Sequence, residues 1–179
     1  MERAFDACSH RPEPLHSVLR DLALVTEVEA EDLDAHFESM MTASLASARA
    51  NFLQQVNGLN PLDAAVLKVM AQEGKEFAPY TKGAYTSYRA LMLASTGELP
   101  TDVNQSAVQL ALERLRGANF IWRAGRGAYL IEDHQHVTWI EEVVERERDE
   151  IEQARREIQA RAASVSIPAS GGSATDAKP

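Results

Sequence analysis

Apolar and polar residues recur at helical spacing along most of this chain and switch to a strand-like pattern only once. Val108, Ala111, Leu112 and Leu115 fall at i, i+3, i+4 and i+7 and share one face of a helix expected over about 103–116. Pro100 stands before it, Thr101 or Asp102 is its expected N-cap, and Gly117 reads as its stop. Two helices are expected upstream. One runs from Pro61 to Gln72, with proline suited to the first turn and Leu62, Ala65, Val66, Val69 and Met70 inward. The other runs from Thr81 to Leu93, with Tyr85, Tyr88, Leu91 and Met92 as its apolar positions. The switch follows the third helix. Phe120-Ile121-Trp122 and Tyr129-Leu130-Ile131 are rich in aromatic and β-branched residues, and Ala124-Gly125-Arg126-Gly127 between them predicts a hairpin whose two glycines supply positive φ.

The flanks are helical too. A short helix near Glu2 to Cys8 is expected first, then one with Leu15, Val18, Leu19 and Leu22 on a face. A longer one follows from about Glu31 to Val56, striped by Leu33, Phe37, Met40, Met41, Leu45, Ala48, Phe52 and Val56. Beyond the hairpin, Val137, Val144, Ile151 and Ile158 recur every seven residues, with Ile140 and Ala154 as companions. Glu147 and Arg161 interrupt the companion positions. Two arrangements fit this seam: packing on the N-terminal bundle of the same chain, which is preferred because the long N-terminal helix needs a cover, or a coiled coil that makes a homodimer. Residues 166–179 are dominated by Ser, Ala, Gly and Pro and read as a disordered tail.

The expected fold is therefore mainly α: a helical bundle over 1–59, a winged helix-turn-helix with a small β-hairpin over 60–133, and a long amphipathic helix over 134–165. A winged helix directs attention to its third helix and its wing. Asn104, Gln105 and Gln109 are candidates for base edges, because carboxamides pair with adenine, and Arg114, Arg116, Arg123 and Arg126 are candidates for phosphate. Glu113 on the same stripe repels phosphate. Polar residues on an outer helix face are also commonly just solvated, and the same fold serves as a protein-interaction module.

Charge sharpens this choice. The 179 residues carry a formal net charge of −9, which argues against a protein that coats nucleic acid through excess Lys and Arg. The excess is uneven: ten acids against four bases before Asn60, eight against eight from Asn60 to Asp133, and eight against five from His134 to Val165. The central unit is neutral between acidic flanks. No apolar run approaches the roughly 20 residues of a bilayer span, and no apolar leader opens the chain, so a cytoplasmic protein without membrane contact is expected.

Reactive chemistry has little foothold. Cys8 is the single cysteine, so an intrachain disulfide is impossible, and it reads as a packing residue. Glu132-Asp133-His134-Gln135-His136 gathers potential metal ligands, but Asp133 reads first as a helix cap and no metal or other cofactor is expected. No nucleophile motif is present, and the expectation is a non-enzyme.

A resemblance adds to these readings. Phe5 to Leu24, centred on His10-Arg11-Pro12-Glu13-Pro14-Leu15, resembles the helical lid of bacterial P-loop ATPases of the AAA type. Leu62-Asp63-Ala64-Ala65-Val66-Leu67, Phe77-Ala78-Pro79-Tyr80 and Arg123 through Asp133 are similar to the winged helix that follows that lid. The chain has no G-x-x-x-x-G-K-S/T loop, so the resemblance implies the C-terminal part of such an ATPase without its nucleotide-binding core. Arg11 matches the lid arginine, which would lack its ligand here. Taken together, these readings favour a non-catalytic DNA-binding or regulatory winged-helix module with double-stranded DNA as its partner; the alternative is an adaptor whose winged helix docks a partner protein such as a separate ATPase core.

Overall fold

The computed structural model describes residues 12–23, 33–125 and 127–165. Among them the chain forms α1 (Pro12–Ala23), α2 (Leu33–Asn57), α3 (Pro61–Glu73), a 3-10 turn (Gly74–Glu76), α4 (Lys82–Thr96), α5 (Gln105–Gly117), β1 (Ile121–Gly125), β2 (Ala128–Ile131), α6 (His134–Arg146) and α7 (Arg148–Val165). The molecule is mainly helical with one small antiparallel hairpin. The helix expected near Glu2 to Cys8, with Arg11 and the tail over 166–179, lies outside the described residues, as do the side chains of Leu15, Leu22 and Leu33.

Side-chain caps set the helix starts. Asn60 accepts from the backbone N–H groups of Leu62 and Asp63 at 3.0 and 3.1 Å, Thr81 from Ala84 at 3.1 Å, and Asp133 from Gln135 at 2.9 Å. For α5 the cap is Asn104, accepting from Ala107 at 3.0 Å, and not Thr101 or Asp102. Val103 explains the shift: it turns into the core, 5% exposed, so the chain stays extended past it before the helix begins. At the other end α5 does reach Gly117, but the left-handed residue is Asn119, φ 59°, and Phe120 donates back to the Leu115 carbonyl at 3.0 Å.

The hairpin pairs Ile121 with Ile131, Trp122 with Leu130 and Arg123 with Tyr129, with an irregularity between Arg123 and Gly125. Ile121 is buried, and Ile131 and Tyr129 pack on the core, so this face looks inward while Trp122 faces out. Of the two turn glycines only Gly127 has positive φ, 77°. Gly125 ends a strand irregularity instead of making the turn.

One core joins segments that the sequence pattern separates. Phe52 and Val56 at the end of α2, Val66, Leu67 and Met70 of α3, Tyr88 and Leu91 of α4, and Val108, Leu112 and Leu115 of α5 belong to it. Ile140 and Val144 of α6 and Ile151 and Ala154 of α7 complete it. Val18 and Met41 form a separate small cluster with Phe37 and Met40, so α1 and the start of α2 make a hairpin beside the main core.

The expected single C-terminal helix is two helices, divided at Glu147. The Glu147 carboxylate takes an ion pair from Lys68 of α3 at 2.6 Å, beside the division. From there α6 packs on α2 and α3, while α7 packs on α4. The heptad seam is thus covered within the chain: Ile140, Val144, Ile151 and Ala154 are buried, and Val137 and Ile158 pack against them in part. Its cover is chiefly α3 and α4; among the described residues the N-terminal bundle contributes α2, against α6.

Candidate functional site

The helix predicted to carry function is fixed by an ion pair absent from the sequence reading. Asp63, in the first turn of α3 and 3% exposed, receives both prongs of the Arg114 guanidinium: Nε at 2.8 Å on Oδ2 and Nη2 at 2.6 Å on Oδ1. Such a two-point fork fixes direction as well as distance, and it ties the last turn of α5 to the first turn of α3. The hydrogen bond to Asp63 also raises the guanidinium pKa above its ordinary value. Arg114, expected to contact phosphate, is therefore a positioning residue within the fold.

The remaining predicted residues lie on or near the outer side of α5 and the hairpin. Asn104 is exposed and uses its carbonyl oxygen as the cap. Gln105 is exposed. Gln109 is held by two neighbours: its amide donates to Glu113 at 3.1 Å, and its carbonyl accepts from the Tyr80 hydroxyl at 3.3 Å. Burial, with Tyr129, Tyr85 and Glu113 close by, pushes the Tyr80 hydroxyl above the usual phenol range. Arg116 and Arg123 are exposed and take no carboxylate partner among the described residues, although Arg123 donates to the Gly125 carbonyl at 3.1 Å. Arg126 lies outside the described residues.

Two apolar side chains occupy this surface without having been singled out. Leu110 is 52% exposed and Trp122 is 46% exposed. The signal for Leu110 was legible in principle: at about 100° per residue it lies opposite the Val108, Ala111, Leu112 and Leu115 face, where a solvated helix would carry a polar group. Ser106 and Glu113 flank it on the same outer side.

The first turn of α5 has a neighbour of its own. Asn104 and Gln105 line a groove of about 810 Å³ together with Ile158, Gln159 and Ala162 of α7. The C-terminal helix therefore stands beside the part of α5 expected to meet base edges.

The His-containing segment is structural in its first uses. Asp133 caps α6, and the His136 ring stacks on Phe52 with centroids 3.8 Å apart and planes 9° from parallel. Among the described residues no three His, Cys, Asp or Glu side chains gather in a metal-binding group, and no helix is long and apolar enough to cross a membrane. No family model, curated protein or solved structure matches the chain.

Proposed function

We propose that the chain is a winged-helix module that docks a protein partner through the outer face of α5 and the wing, and that it carries out no catalysis itself. The observation that carries this reading is Leu110, a large apolar side chain 52% exposed at the centre of the helix face that the fold presents. Trp122 extends the apolar character onto the wing. Tryptophan anchors are typical of protein interfaces, where a few large side chains supply most of the affinity. Glu113, held by Gln109, offers an acceptor beside Leu110, so the matching surface has an apolar pocket with a donor on its rim. The resemblance to the C-terminal region of AAA-type ATPases supplies a partner class, a P-loop ATPase core.

Double-stranded DNA is the second reading. Exposed Arg116 and Arg123 favour it. Glu113, the net charge of −9, and α7 beside the first turn of α5 weigh against it, because a recognition helix must enter the major groove at that turn.

Photo-crosslinking from a benzophenone side chain at position 110, in the cells that make the protein, separates the two. A discrete protein adduct supports docking; a nuclease-sensitive adduct, or none, overturns it. Mixed-sequence duplex titrated by fluorescence anisotropy tests the second reading. Salt-sensitive binding that weakens and loses salt dependence in an Arg123→Ala/Arg126→Ala protein would place DNA on the wing.

A further inference from the structure

We propose that the groove between α4, the start of α5 and the end of α7 binds an acidic peptide segment carrying an apolar side chain. This site is separate from the Leu110 face and does not depend on it.

The groove joins features that single out such a ligand. Lys82 and Arg89 of α4 both line it, and among the described residues no Asp or Glu does, in a chain with nine more acids than bases. Neither cation has a carboxylate partner among the described residues. Arg89 is held over the groove by donating to the Val103 carbonyl at 3.3 Å, which leaves its other N–H groups for a ligand. An unpaired arginine fixed in this way is prepared for a carboxylate, because its fork is already ordered.

The remaining lining is apolar, carboxamide or, at Thr86, hydroxyl. Tyr80, Tyr85, Val103 and Ile158 bring apolar surface, and Asn104 and Gln105 bring groups that both donate and accept. Carboxamides suit a peptide backbone, aromatic and aliphatic surface suits an apolar side chain, and two cations suit flanking carboxylates. The volume, about 810 Å³, lies toward the upper end of ligand pockets.

The test uses the full chain and a fluorescein-labelled peptide with a central Phe and Leu flanked by Asp and Glu, followed by anisotropy from low to physiological salt. Binding should weaken with salt and fall by about tenfold in Lys82→Glu or Arg89→Glu, since each reversal replaces an attractive pair by a repulsive one. Arg89→Lys keeps the charge and should retain most of the affinity. Leu110→Asp should leave it unchanged, whatever becomes of docking at the α5 face. A peptide with Lys in place of its acids should not bind. Absence of binding at low salt, or equal affinity in the charge-reversed proteins with native circular dichroism, overturns the proposal. Loss of the peptide in Leu110→Asp overturns its placement, and displacement by duplex DNA assigns the groove to nucleic acid instead.

Discussion

Asp63 is nearly sealed from solvent, and a buried carboxylate is tolerated only because the Arg114 fork meets both of its oxygens. Removing the guanidinium leaves that charge without compensation. Arg114→Ala should therefore lower unfolding free energy by about 2 kcal/mol in urea titrations, since Arg114 is itself half exposed and water can partly replace it. Arg114→Lys should recover only part of the loss, because an ammonium cannot reproduce the two parallel bonds. Tyr88 makes a different prediction. It is fully buried, donates to the Pro79 carbonyl at 3.2 Å, and has its ionisation pushed far above the ordinary phenol value, chiefly by burial and further by Glu73, Tyr85 and Tyr80. Its neutral form is the one the fold holds, whereas the unfolded chain ionises near pH 10. Stability from this group is thus complete below about pH 10 and declines as pH rises above it. Ultraviolet titration should show Tyr88 ionising together with alkaline unfolding, and Tyr88→Phe should flatten stability against pH in that window.

At the scale of elements, the three central helices and the hairpin were legible because their core positions recur at helical or strand spacing, although α3 also buries Leu67 and Ala71 outside the predicted face. Val108, Ala111, Leu112 and Leu115 are all buried, as the spacing requires, and Leu62, Ala65, Val66, Val69 and Met70 are too. The long N-terminal stripe was less faithful: Phe52 and Val56 reach the core, while Ala48 is exposed, because α2 outruns the partners that cover it. Helix ends were legible only approximately. Val103 buries itself before α5 and displaces the cap to Asn104, a tertiary demand that no local propensity records. The candidate site suffered from the same blindness. Nothing local distinguishes Arg114, which binds Asp63 across 51 residues of sequence, from Arg116, which is exposed. Conversely, Leu110 departs from the periodicity in plain view. The turn from α5 to β1 gives the prediction at this scale. Asn119 occupies the left-handed region, which asparagine tolerates better than most residues and glycine without cost. Asn119→Gly should be neutral or slightly stabilising, whereas Asn119→Ala should cost about 1 kcal/mol in the same urea titration.

For the whole molecule, the decisive fact is that the C-terminal helices complete the core of the central unit. Ile140, Val144, Ile151 and Ala154 are buried with Tyr88 and Leu115 in one cluster, and α7 lies along α4. The helical bonds continue across the division, from Glu147 to the Val143 carbonyl at 3.1 Å and from Ile151 to the Glu147 carbonyl at 3.0 Å. Direction at this point is therefore set by packing and by the Lys68 pair, whose ammonium side chain is 13% exposed. Glu147→Ala strands that ammonium in a partly buried position and should lower stability by about 1 to 2 kcal/mol. Amide hydrogen exchange distinguishes this from a local effect. If α7 belongs to one cooperative unit with α3 to α6, its amides around Ile151 should gain exchange together with those around Tyr88 and Leu115, while α1, whose described core residue Val18 lies in the cluster with Met41, should exchange earlier in both proteins. Should α7 alone exchange faster in Glu147→Ala, it would be a separable arm, and the groove it walls beside α5 would open and close without unfolding the core.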